Sequence, residues 1–170
     1  TPITGVSISV LNLSSNGAFV GSALTDSLGN YTVSGIIPGT FLVKTFNSQG
    51  FIDEVYDNVE CVGCTATNGQ FITITTAGQL VTGIDFVLGT GGRIRGTVLD
   101  SASNPIAGIN VEVYRTNGTF ATATSTNSRG EYVSSAGLPA GSYYVRTRNS
   151  LGYVDRVYSG ITCVGCIVTS

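Results

Sequence analysis

Slid against itself, the chain meets a second copy of itself. The stretch "TPITGVSISV" at 1–10 answers "NPIAGINVEV" at 104–113. "TDSLGNYTVSGIIPGTFLVKTFNSQGFIDEVYDNVECVGC" at 25–64 answers "TNSRGEYVSSAGLPAGSYYVRTRNSLGYVDRVYSGITCVGC" at 126–166. The offset is 103 at Gly5/Gly108 and 102 at Cys61/Cys163. A period of that size is too long for a short-repeat solenoid and suits a whole domain. The expected organisation is two tandem units, 1–90 and 91–170.

The units are out of phase. "GGRIRGTVLDSAS" at 91–103 opens the second and has no counterpart in the first. "QFITITTAGQLVTGIDFVLG" at 70–89 closes the first and has none in the second. The first unit is expected to lack its first strand and the second its last strands, each truncated at one end by the chain limits. Breaks inside strand patterns leave open sheet edges. The expectation is a window on a longer array. The alternative is that neighbouring chains supply the missing strands, although neither piece is carried as a spare.

Apolar residues alternate with period two, the mark of half-buried strands. "INVEVYR" sets Ile109, Val111 and Val113 inward, with Asn110, Glu112 and Tyr114 outward. Its twin "VSISVLN" repeats this with Val6, Ile8 and Val10. "RIRGTVLD" places Ile94, Gly96, Val98 and Asp100 on one face, or Arg95, Thr97 and Leu99 on the other, and "SYYVRTRN" sets Tyr143, Val145 and Thr147 against Tyr144, Arg146 and Arg148. "GIDFVLG" closes a unit with Ile84, Phe86 and Leu88. Turn signals such as "LGN", "IPG", "PAG" and "NG" separate these runs. No window shows a capped helical period. The expected fold is all-β, two tandem seven-strand-type, Ig-like β-sandwiches.

"GTVLDSASNPIAGINVEVY" followed by "TNSRGEYVSSAGLPAGSYYVRT" resembles the carboxypeptidase regulatory-like domain family, which is related to the Cna-B and prealbumin-like folds. The resemblance is carried by Gly96, Val98, Asp100, Pro105, Gly108, Gly130, Tyr132, Leu138, Pro139 and Gly141, and in the first unit by Pro2, Gly5, Gly29, Tyr31, Pro38 and Gly39. It implies spacers, stalks, adhesins or accessory modules rather than an activity. Tyr31 and Tyr132 are expected in the core, each hydroxyl reaching a loop backbone. Some Cna-B-type domains hold a Lys–Asn isopeptide bond. Lys44 is the one lysine here, and Arg146 replaces it in the second unit, so no such bond is expected.

All four cysteines lie in two copies of Cys-Val-Gly-Cys: Cys61, Cys64, Cys163 and Cys166. Four thiolates around one zinc would need both units to converge on Zn–S distances of about 2.3 Å, which pairs within one chain cannot easily do, although packing of neighbouring chains could. A thioredoxin-type centre places its first cysteine at a helix N-terminus, and no helical pattern follows either motif. A loop disulfide in each unit, Cys61–Cys64 and Cys163–Cys166, is the favoured reading, with pairing between repeats or chains as the other covalent option. Closing so small a loop stabilises by about 2 kcal/mol in the chain-entropy picture. Disulfides imply an extracytoplasmic setting. No metal and no cofactor are expected.

Charged residues make up 11% of the chain, net charge −2, and the seven arginines are scattered. No basic stripe exists for nucleic acid, and no apolar run spans a bilayer. Histidine is absent, which removes the usual proton shuttle. No serine or threonine has a motif-supplied base. Asp53, Glu54, Asp57 and Glu60 offer calcium-type oxygens, but the second unit keeps Asp155 alone of these, so a solvated loop is expected. Tyr56, Tyr144, Tyr153 and Tyr158 are the available sugar-stacking faces. The pairs Tyr56/Tyr158 and Phe51/Tyr153 serve a domain interface equally well.

The expected function is therefore not enzymatic. It is a structural module of an extracellular tandem-repeat surface protein or fibre, with a disulfide in each repeat and other copies of the repeat as partners. The alternative is a carbohydrate- or protein-binding accessory module of a larger secreted enzyme or adhesin, whose ligand the residues leave unnamed. Neither reading involves nucleic acid or membrane insertion.

Overall fold

The alternating runs "SISVLN" and "NVEVYR" form the central strands of two antiparallel sheets. A computed structural model describes residues 1–64, 68–163 and 165–169. Val164, inside the second Cys-Val-Gly-Cys, lies outside the described residues.

In the N-terminal half, β1 (Ser7–Asn12), β2 (Ala18–Leu24), β3 (Gly39–Phe46), β4 (Glu54–Val55) and β5 (Val59–Glu60) form one sheet in the order β2-β1-β3-β4-β5, and β6 (Ile72–Ile74) also pairs with β3. The C-terminal half contains β7 (Arg95–Thr97), β8 (Asn110–Arg115), β9 (Phe120–Ser125), β10 (Glu131–Val133), β11 (Tyr143–Arg148), β12 (Arg156–Val157) and β13 (Ile161–Thr162). Its main sheet runs β13-β12-β11-β8-β9, and β10 pairs with β7 in a second sheet. The one helical element among the described residues is a 3₁₀ turn, Leu13–Ser15. The chain is all-β, as the alternation predicts.

Residues that the internal match pairs take corresponding places. The β1–β2 ladder carries a bulge at Val10/Leu11, and the β8–β9 ladder carries one at Val113/Tyr114. Val10 and Val113 are counterparts. A bulge adds a residue to one strand and bends it, so both hairpins curl over their cores at the same point.

The C-terminal half closes as a sandwich. Ile106, Ile109 and Val111 pack against Val98, Tyr132 and Val145, which bring β7 and β10 onto the main sheet. In the N-terminal half the equivalent face carries Val6, Ile8, Val10, Phe41, Val43 and Ile72. Two extended segments cover it, one with Tyr31, Val33 and Ile36, the other with Val81, Ile84, Phe86 and Leu88. Ile84, Phe86 and Leu88 turn inward as their alternation predicts, but residues 79–89 belong to no strand. A strand needs a hydrogen-bonded neighbour, and the place that β7 takes beside Tyr132 is held by no described segment beside Tyr31.

The outer faces differ from expectation. Glu112, expected to point into solvent, is 5% exposed. The reason is a third layer. β12 and the chain after it fold back so that Val157, Cys163 and Val168 pack on Tyr114 and Tyr144. On the other sheet Val55 and Cys61 cover Leu42 in the same manner, beside Leu13 and Val59. Each disulfide loop therefore roofs the outer face of its sheet instead of hanging from the surface.

Candidate functional site

The loop that follows β3 is built around one asparagine. Asn47 Nδ2 donates to Phe51 O at 2.9 Å and to Asp53 Oδ1 at 2.7 Å, while the N–H groups of Gln49 and Phe51 donate to Asn47 Oδ1. Asn149 makes the same four contacts with Tyr153, Asp155 and Leu151. Thr45 Oγ1 accepts from the Glu54 N–H at 2.8 Å, and Thr147 Oγ1 accepts from the Arg156 N–H at 2.9 Å. This threonine–asparagine–aspartate set was not singled out in the sequence. Its signal is there, as "TFNSQGFID" against "TRNSLGYVD".

The set delivers the cysteines. Cys61 N–H donates to Asp53 O at 2.6 Å, and Cys163 N–H donates to Asp155 O at 2.8 Å. Disulfides close Cys61–Cys64 and Cys163–Cys166, with Cα separations of 5.0 and 5.1 Å. Among the described residues no cysteine is free, and no three His, Cys, Asp or Glu side chains gather as a metal set.

The expected solvated acidic loop forms only in part: Asp57 and Glu60 are exposed, but Asp53 and Glu54 are not. Asp53 is 4% exposed and Glu54 is 7% exposed, because the covering layer takes both in. Burial pushes the Asp53 carboxyl up to about 6, against the hydrogen bonds of Asn47 and Thr45. Burial, then the charges of Glu60 and Asp57, raise Glu54. Glu112 goes the other way. Burial opposes its charge, but Arg146, the Tyr114 hydroxyl and Arg148 outweigh that and hold it below the usual range. Arg146 Nη2 lies 2.5 Å from Glu112 Oε2, and its Nη1 donates to Cys166 O at 3.0 Å. One guanidinium thus ties the second disulfide loop to β8.

The first disulfide loop reaches across to the other half. Val62, between the two cysteines, is 3% exposed and packs with Val113, Ala121, Ala136 and Leu138. Ile52 joins them from the same side. Gly63 has φ +65°, and a Cβ there would overlap the Phe120 carbonyl oxygen and the Ala121 backbone. The approach is completed by main chain: Gly137 N–H donates to Phe51 O at 3.0 Å, and Gly91 N–H donates to Gly50 O at 2.9 Å. Of the aromatic pairs, Phe51 sits at this junction through its carbonyl and through an isolated bridge to Thr90. Tyr153 and Tyr158 are 47% and 82% exposed at the matching places. Tyr31 behaves as expected, its hydroxyl donating to Ile84 O at 2.6 Å.

The family model of the carboxypeptidase regulatory-like domain matches residues 93–165. That segment is similar to the family, as the motif resemblance implied, and the family's domain type is non-catalytic. Among solved structures, the chain is similar to the Bacillus anthracis TIE protein, with 17% identity and a TM-score of 0.37. The match covers 94% of this chain and 28% of that one. No curated protein matches the chain. Among the described residues no helix is long and apolar enough to cross a membrane.

Gly63 and Gly165 offer a matched test of the junction. Both have left-handed φ, +65° and +64°, but nothing lies within 4 Å of a Cβ built at Gly165. Alanine at either costs about 1–2 kcal/mol in backbone strain. Gly63→Ala should cost a further ~1–3 kcal/mol from overpacking, read by urea denaturation. Equal losses at the two positions would contradict the docking.

Asp53 predicts a pH dependence. Its folded pKa of about 6 lies above the unfolded value, so its contribution is full below pH ~4 and is lost as pH rises through 6. Stability should fall by about 1 kcal/mol between pH 5 and 7 from this group. Asp53→Asn should flatten that slope in urea titrations at the two pH values.

Proposed function

We propose that the chain is a non-catalytic structural unit of an extracellular tandem-repeat protein, exposed at a cell surface or assembled into a fibre. The observation that carries this is Val62, the tip of a disulfide-closed loop, buried in the core of the following half. A loop that ends one repeat and plugs the next makes a stiff joint where a flexible linker would otherwise sit. Cys163–Cys166 closes the same kind of loop at the far end of the second repeat, so the joint can recur with another copy as partner. Two disulfides suit an oxidising compartment outside the cytoplasm. The domain type of residues 93–165 supports a spacer or stalk role over catalysis.

Electron microscopy of the purified protein tests this. The expected result is rods or filaments with an axial repeat near one or two domain lengths. Compact monomers that bind a glycan saturably would replace this reading with the accessory-module one.

A further inference from the structure

The two halves differ most where the N-terminal one is open. In the C-terminal half, β10 pairs with β7, and Tyr132 stands opposite Gly96. The fit is close: a Cβ on Gly96 would lie 2.8 Å from the Tyr132 hydroxyl and 3.0 Å from its ring. Ile94 and Val98 of the same segment turn into the core clusters on either side. Tyr31 is the counterpart of Tyr132, in "GNY" against "GEY". Residues 30–37 nevertheless belong to no strand, and neither do residues 79–89 across from them. Between the two segments lies an open hollow of about 1440 Å³, above Val6, Ile8, Val10, Phe41 and Val43, which the side chains of the two segments already cover. The Tyr31 hydroxyl reaches over to Ile84 O, touching both walls.

That volume exceeds the roughly 300–1,000 Å³ of small-molecule pockets. Its walls are two extended backbones outside any ladder, which is the template an added strand requires. Val33, Ile36, Ile84 and Phe86 line it with apolar side chains, so a guest strand needs apolar side chains on alternate positions. Opposite Tyr31 the guest needs glycine, as Tyr132 has.

We propose that the cleft between Tyr31–Val33 and Ile84–Phe86 is a β-strand acceptor, and that its guest is a strand of the Gly92–Asp100 type supplied by another copy of this repeat. The pattern of Ile94, Gly96 and Val98 meets each requirement of the cleft. The inference deepens the structural reading and rests on it for the source of the strand. Beside β7 a smaller hollow of about 220 Å³ is lined by Val98, Tyr132, Val145 and Val157, where no described segment corresponds to Ile84–Leu88.

The test adds a synthetic peptide with the sequence of Gly92–Asp100 to the full chain labelled for NMR. The expected result is saturable one-to-one binding, with amide shifts concentrated at Tyr31–Val33 and Ile84–Phe86 and a raised Tm. A peptide carrying Gly96→Val should bind at least tenfold more weakly. A dimer in which those amides are already protected from exchange, and which the peptide dissociates, also supports the acceptor, with β7 of a second molecule as guest. Absence of binding to a monomer, shifts elsewhere, or equal binding of the Gly96→Val peptide overturns it. Peptide binding without filaments leaves the acceptor standing and removes the fibre. Filaments whose density leaves the cleft empty do the reverse.

Discussion

The arrangement of the two halves depends on one apolar side chain held out on a closed loop. Burying Val62 stabilises by about 1.5–3 kcal/mol, but a free loop would lose much of that to ordering. The Cys61–Cys64 bond removes most of that freedom beforehand, so the valine arrives in a fixed place. The glycine beside it has no Cβ, which lets the loop backbone lie against the carbonyls of β9. Val, Gly and the two cysteines therefore form one device. The bond shapes the loop, the valine supplies the contact, and the glycine permits the approach.

Behind the loop stands the asparagine set. Asn47 and Asn149 each use both faces of the amide, donating to a carboxylate and a carbonyl and accepting two backbone N–H groups. This fixes the aspartate whose own carbonyl receives the first cysteine's N–H. A buried polar network is costly only when left incomplete, and this one has its members paired. The exception is Glu54, whose Oε2 is buried without a hydrogen-bond partner in the described structure. A neutral carboxyl bears such a position at less cost than a charged one, in line with the upward shift of Glu54.

Much of the architecture was legible. Period-two alternation marked β1, β8 and β11 and set Ile8, Val10, Val111 and Val113 inward, because a strand with one dry face has little choice of residue. The inward turn of Ile84, Phe86 and Leu88 was legible too, although their pairing was not. Alternation reports which face is buried, and it says nothing about whether a neighbouring strand is present. The third layer was not legible. Asp53, Glu54 and Glu112 look like surface residues by type, and they are buried by a loop that returns over them from farther along the chain. Short strands such as β4 and β12 carry too few residues to show a period. The Cys-Val-Gly-Cys spacing pointed to a loop closure, but that the valine would enter another core depended on tertiary placement.

The most direct measurement is a set of methyl–methyl NOEs in valine-, leucine- and alanine-labelled protein. The account predicts cross-peaks from Val62 to Val113, Ala121 and Leu138, together with a single rotational correlation time for both halves. Missing cross-peaks, with the two halves tumbling independently, would contradict it.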